Sequence, residues 1–177
     1  MARSIQHVHD KGFIHLDIKP GNFFVAKDRT VKLGDFGKAI HVDKVDQLIE
    51  NDLEGDVIYM APELLQKKIS QKVDIFSLGA SLLEIATSMN LPQNGILWTK
   101  LREGCQIKFS PSAKRSERLE DLINMMMAPD PEVRPNIEEL IMRLSLNPEL
   151  KKQRLSDYEL GLHKQCSMPN YSKNNQF

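Results

Sequence analysis

The longest apolar run, VDIFSLGASLLEIATSM at residues 73–89, constrains the chain most, because a segment of that kind must be buried, in a membrane or inside a protein. Asp74, Ser77, Ser81 and Glu84 interrupt it and make it too polar to span a bilayer. It reads as a buried helix. Shorter helical patterns surround it in sequence: APELLQ from residue 61, Trp98 to Arg102, Arg118 to Met127 and Asn136 to Leu144. Near the start, Ile5, Val8 and His9 share one helical face, and Gly12 is a natural stop. NFFVA and TVKLG, separated by KDR, are short β-prone runs that predict a small hairpin.

Residues 38–58 show no sustained period and carry many acidic groups, which predicts a long loop of the length that is usually functional or disordered. After Ser145 the chain turns rich in Lys, Gln, Asn and Ser; a short helix over Glu149 to Leu160 is expected there, with a frayed end beyond it. There are no internal repeats. A chain of 177 residues, 41% hydrophobic and 27% charged, fits one compact domain with a real core, here residues 1–145, followed by a polar and mostly disordered tail over 146–177.

Lys and Arg number 24 against 24 for Asp and Glu, so no global charge draws the chain to nucleic acid or to an anionic membrane. Cys105 and Cys166 form no C-x-x-C pair, which argues against a zinc site and a disulfide framework and fits a reducing compartment. The opening MARSIQHVHDKG lacks the apolar core of a signal peptide. The expected location is intracellular, cytoplasmic or nuclear, with no transmembrane segment in the chain.

The densest chemistry lies in HLDIKPGN, residues 15–22, which brings together an imidazole, a carboxylate, an ammonium and an amide. Asp35-Phe36-Gly37 follows after the predicted hairpin, and Ala61-Pro62-Glu63 closes the segment. In this order and context the residues resemble the catalytic loop, the D-F-G metal motif and the A-P-E motif of protein kinases. The resemblance covers roughly residues 1–145 and implies an α+β, kinase-like fold: the mostly helical large lobe with a short β-hairpin, and without the N-terminal β lobe.

Phosphoryl transfer rests on positioning and charge neutralisation, and the resemblance assigns residues to both. Asp17 would accept the substrate hydroxyl's hydrogen bond. Lys19 would place a point charge by the transferred group, and with Pro20 beside it looks like the serine/threonine type of loop. Asn22 and Asp35 would supply oxygen ligands to Mg2+, which binds through few protein groups and takes its other ligands from ATP. Phe24 matches the floor under the adenine ring, a place equally suited to a core phenylalanine. His15 and Phe36 read as packing residues. Glu63 and Arg134 resemble a buried ion pair whose loss of one partner costs about 3–5 kcal/mol. Asp74 resembles the buried aspartate that holds the catalytic-loop backbone. Met125 to Met127 read as core.

Leu16 stands where most kinases carry an arginine that receives an activation-segment phosphate, and no serine or threonine lies between Asp35 and Glu63. Asp43, Asp46, Glu50, Asp52, Glu54 and Asp56 face only Lys38 and Lys44 in that segment; they read equally as a fixed substitute for phosphate charge or as a solvated acidic loop. Asp56 is expected to pair with Lys19.

Leu16 in H-L-D, the EGD..YMAPELLQ of residues 54–66 and NLPQNGILWTKLREG at residues 90–104 resemble the Wee family, the inhibitory kinases of cyclin-dependent kinases. Phe36 and the intact A-P-E point to its membrane-associated, dual-specificity branch. That resemblance implies transfer of phosphate from ATP to a threonine and a tyrosine of a cyclin-dependent kinase in cell-cycle control. The chain departs from the pattern in having no G-x-G-x-x-G, no strand lysine before the catalytic loop and no apolar segment in the tail. Apolar surface around Phe24, Phe36 and the first helix is therefore expected to face water. A second function class follows, a non-catalytic half-kinase that binds a cyclin-dependent kinase or competes with a complete enzyme.

Overall fold

The chain runs α1 (Ala2–His9), β1 (Phe13–Ile14), β2 (Phe23–Val25), β3 (Val31–Leu33), β4 (Ile40–His41), α2 (Lys72–Thr87), α3 (Gly95–Arg102), α4 (Glu117–Met126) and α5 (Ile137–Ser145). This is a computed structural model, and it describes residues 1–46, 56–110 and 115–145. Met1–Ile141 form one compact unit; of the second, Met142–Phe177, only residues 142–145 are described. The expected tail helix and Glu50, Asp52 and Glu54 lie outside the described residues.

Helix α2 is the buried helix expected from its composition, with every residue from Val73 to Ser81 buried. Its hydroxyls are tolerated there because the backbone absorbs them. Ser81 Oγ donates to the Ser77 carbonyl at 2.7 Å, while Ser77 Oγ lies 3.0 Å from the Val73 carbonyl and 2.8 Å from that of Tyr59, its one hydrogen shared between them. The close neighbour of α2 is α4. Gly79 makes that approach possible, since a Cβ there would meet Met127 Cγ at 2.8 Å and Met126 Cβ at 2.9 Å.

The helix starts follow local rules. Ser116 caps α4 by accepting the Leu119 N–H. Asn136 and Glu139 form a reciprocal capping box at the start of α5: each side chain accepts the other's backbone N–H, at 2.8 and 2.9 Å. Pro62 opens a 3-10 turn over Pro62–Gln66 rather than a full α-helix, and it carries Glu63 into the interior.

Glu63 meets Arg134, which is 1% exposed and uses all five of its N–H groups: two on the carboxylate, and three on the carbonyls of Ala128, Lys72 and Pro129. The guanidinium also lies 4.9 Å from the Phe76 ring centroid. A buried charge satisfied this completely is the condition under which burial does not expel it.

The hairpin forms as predicted, β2 pairing antiparallel with β3 in the register Phe23 to Leu33 and Val25 to Val31. Two expectations need correction. The stretch read as a loop from residue 38 contains β4, which pairs antiparallel with β1; strands of two residues are too short to show a period. The apolar face of α1 is not solvent-facing either, because Ile5 and Val8 are buried and α1 packs on β1 and β3. Phe24 and Phe36 are exposed as expected, at 57% and 52%, so Phe24 is not a core side chain here.

Replacing Gly79 by alanine forces methionine side chains and the α4 backbone apart. A loss of about 1–3 kcal/mol is expected in chemical denaturation, the usual cost of overpacking, whereas the same change at Gly21, where a Cβ meets nothing within 4 Å, leaves the midpoint nearly unmoved.

Candidate active site

The loop carrying Asp17 is held from beneath by Asp74 of α2, which is fully buried. Asp74 Oδ2 accepts the His15 backbone N–H at 2.8 Å and His9 Nε2–H at 2.9 Å, and its Oδ1 accepts the Leu16 N–H at 3.0 Å. These bonds hold Leu16 at φ 63°, a left-handed conformation that costs a β-carbon residue about 1–2 kcal/mol. His15 locks the next link. Its Nδ1 accepts the Asp17 N–H at 3.3 Å, so Nε2 carries the hydrogen, and it donates to the Gly34 carbonyl at 3.1 Å. The imidazole is thereby fixed as one neutral tautomer between the loop and the residue before Asp35, and its ring meets Phe36 edge-on at 5.0 Å.

Asn22 and Asp35 are joined through the backbone, the Gly34 N–H donating to the Asn22 carbonyl at 2.9 Å. Asp35 itself sits at φ 60° and is exposed, and its carboxylate makes no hydrogen bond among the described residues. Gly34 lets the Phe24 ring lie close over the backbone, since a Cβ there would meet the ring at 2.8 Å and push it outward. Phe24 lies across that backbone with its other face open.

Within this frame the predicted residues converge. Asn22, buried, directs both amide hydrogens at Asp17, one to the carbonyl at 2.7 Å and one to Oδ2 at 2.9 Å, which leaves its side-chain oxygen as the group available to a cation. Lys19 Nζ lies 3.1 Å from Asp17 Oδ2 and 3.7 Å from Asp56 Oδ2, the pairing expected from the sequence. Asp17 is 6% exposed, and its Oδ1 is buried without a hydrogen-bond partner; Lys38 Nζ is 3.5 Å away. Burial pushes the Asp17 carboxyl up, but hydrogen bonds from Lys19 and Asn22 and the charges of Lys19 and Lys38 outweigh it and hold the carboxyl below its usual range. Lys19 is raised: burial lowers it, and the Asp17 bond and the charges of Asp17, Asp56 and Asp35 more than reverse that.

The result is an ionised carboxylate with Oδ2 fixed by Lys19 and Asn22, and with Oδ1 buried beside Lys38 and making no hydrogen bond. The Asn22 side-chain oxygen lies on the same loop, and the Asp35 carboxylate is near enough to act on the Lys19 charge. Among the described residues no group of three or more His, Cys, Asp or Glu side chains is able to hold a metal alone. The donor set therefore suits a hard cation that brings its own phosphate oxygens, and not a closed protein cage.

Three participants were not singled out from the sequence. His9 was legible only as part of an apolar face. Lys38 was one cation in an acidic loop, although its place directly after Asp35-Phe36-Gly37 was a usable signal. Arg102 was quoted only within a longer stretch; it reaches the backbone of residues 57–60 from α3.

This carboxylate, amide and lysine on one loop, tied to a second carboxylate and mounted on a buried helical aspartate, form the arrangement that the kinase-like large lobe expected from the sequence requires. The protein kinase domain family matches residues 1–144, and the chain belongs to that family. Among its relatives are inhibitory kinases of the Wee type. The chain is 43% identical over 155 residues to the membrane-associated tyrosine- and threonine-specific cdc2-inhibitory kinase of Drosophila melanogaster, covering 87% of this chain and 28% of that protein. It is 40% identical to the Wee1-like protein kinase of Oryza sativa subsp. japonica, over 80% of this chain and 26% of the relative. Against the mitosis inhibitor protein kinase SWE1 of Candida albicans it is 40% identical, over 77% of this chain and 11% of the relative. The chain thus spans well under half of these relatives' lengths. Among the described residues no helix is long and apolar enough to cross a membrane.

Asp74→Asn leaves one side-chain oxygen for three donors. The expected outcome is a loss of about 3 kcal/mol in unfolding free energy, since bonds to a charged acceptor are worth about 1.5–3 kcal/mol each. Hydrogen exchange at the His15 and Leu16 amides should accelerate before that of α4. Exchange unchanged at both amides contradicts the assignment of Asp74 as the anchor.

Proposed function

We propose that the chain is the catalytic large lobe of a protein kinase that transfers phosphate from Mg-ATP to protein hydroxyls, and that its substrate is a cyclin-dependent kinase inhibited by the modification. The observation that carries the catalytic part is an ionised Asp17 whose Oδ2 is held by Lys19 and Asn22 while its Oδ1 makes no hydrogen bond and has only the Lys38 ammonium near it, at 3.5 Å. The substrate is supported by what the relatives' names say of them, cdc2-inhibitory and mitosis inhibitor kinases.

In this reading Lys38 moves off Asp17 Oδ1, which accepts the hydroxyl's hydrogen bond, orients the oxygen for attack and takes its proton as the new O–P bond forms and the bond from the γ-phosphorus to the bridging oxygen breaks, ADP leaving. Lys19 stays charged, paired to Asp17 Oδ2, and adds positive potential where negative charge gathers. Asn22 and Asp35 would hold the cation through oxygen, and the open face of Phe24 would be available to the adenine. Bound Mg-ATP supplies the phosphoryl group and the charge that neutralises it.

The exposed Phe24 and Phe36 beside the site favour a covering partner there, and a β lobe is what the family places in that position. The same face supports a second reading, a non-catalytic module that binds a cyclin-dependent kinase.

The test is transfer of labelled phosphate by the full-length protein to a catalytically dead cyclin-dependent kinase–cyclin complex and, in parallel, to casein. Asp17→Asn should lower kcat by about 10²–10⁴, the range for loss of a positioned acid or base, with nucleotide affinity unchanged. Transfer to casein alone keeps the kinase and rejects the substrate. Binding of the complex without transfer to either acceptor selects the module.

A further inference from the structure

Arg102 is 6% exposed and forms no ion pair among the described residues. Its Nε–H donates to the Met60 carbonyl at 3.0 Å, Nη2 donates to the carbonyls of Val57 at 2.8 Å and Ile58 at 3.0 Å, and Nη1 donates to the Trp98 carbonyl at 3.1 Å. The guanidinium lies 3.8 Å from the Trp98 ring centroid, and one turn earlier on α3 the Trp98 Nε1–H donates to the same Val57 carbonyl at 2.9 Å. Tyr59, the remaining residue, is held from α2: its carbonyl faces Ser77 Oγ at 2.8 Å and its hydroxyl donates to Glu84. Every carbonyl from Val57 to Met60 thus meets a side chain of α2 or α3.

Packing alone does not call for this arrangement. A buried cation without a carboxylate partner is costly, and burial draws Arg102 down to about 10. An apolar residue would fill the volume without that cost, but would leave carbonyls of a segment that has no strand partner unsatisfied. What the clamp fixes is next to the chemistry. Asp56 accepts the Tyr59 N–H on its carbonyl at 3.0 Å and the Ile58 N–H on Oδ1 at 3.2 Å, and its Oδ2 lies 3.7 Å from Lys19, the partner of Asp17.

We propose that Trp98 and Arg102 are positioning residues for the protein substrate: from α3 they hold the backbone of residues 57–60 as a preformed shelf beside Asp17, against which the acceptor segment is aligned. The proposal rests on the kinase reading for its substrate, and on the hydrogen bonds alone for the clamp.

Steady-state kinetics of the full-length protein with the dead cyclin-dependent kinase–cyclin complex test the role. Arg102→Met is expected to raise KM for the complex about tenfold with KM for ATP unchanged, as loss of a positioning contact does. Trp98→Phe, which keeps a ring under the guanidinium and removes one hydrogen bond, should raise it by a smaller factor. Hydrogen exchange of the Ile58 and Tyr59 amides, which needs no activity, should accelerate in both variants while α2 stays protected. Unchanged exchange overturns the clamp. Faster exchange with an unchanged KM for the complex, or an equal rise in both KM values, overturns the positioning role. A wild-type protein that transfers no phosphate overturns the kinase reading and this role together, and the exchange data tell that failure from failure of the clamp.

Discussion

A single carboxylate organises the site. Asp74 lies buried in the first turn of α2, the most buried helix among the described residues, where an unpaired charge is not tolerated. Its two oxygens are satisfied by three donors from α1 and the loop after β1. The charge is stable there only while the loop is in place, and the loop keeps its left-handed Leu16 only while the charge is there. This mutual dependence converts the burial energy of α2 into a fixed position for Asp17.

From that anchor, order passes outward by short links. His15 joins the loop to Gly34, Asn22 joins it again to the same residue through the backbone, and Asp35 follows with its own left-handed φ. Non-glycine residues in that conformation persist where the surroundings over-determine them, and here one, Leu16, directly precedes Asp17 and another is Asp35 itself. Asp56 closes the arrangement from the other side through Lys19. The site is rigid where it must orient groups, and apolar and open where Phe24 and Phe36 meet solvent.

Much of this was legible in the sequence because it depends on spacing. Asp17, Lys19 and Asn22 lie on one short loop, and Asp35 follows a hairpin whose two runs are β-prone by composition. The apolar run of α2 declared itself by composition, and its aspartate could be read as structural through the kinase resemblance. What escaped has a common physical cause. Two-residue strands such as β1 and β4 have no period to detect. Trp98 and Arg102 bond to carbonyls more than forty positions away in sequence, and carbonyls carry no residue identity. Phe24 could be either core or exposed, because an adenine-facing ring and a core ring have the same composition.

The central claim is that Asn22 and Asp35 hold the cation beside Asp17. It is tested most directly by anomalous diffraction from crystals of the full-length protein grown with Mn2+ and a non-hydrolysable ATP analogue. The account predicts an anomalous peak bonded to the Asn22 side-chain oxygen and the Asp35 carboxylate, with nucleotide phosphate completing its shell. Nucleotide bound with its metal away from both residues would contradict it.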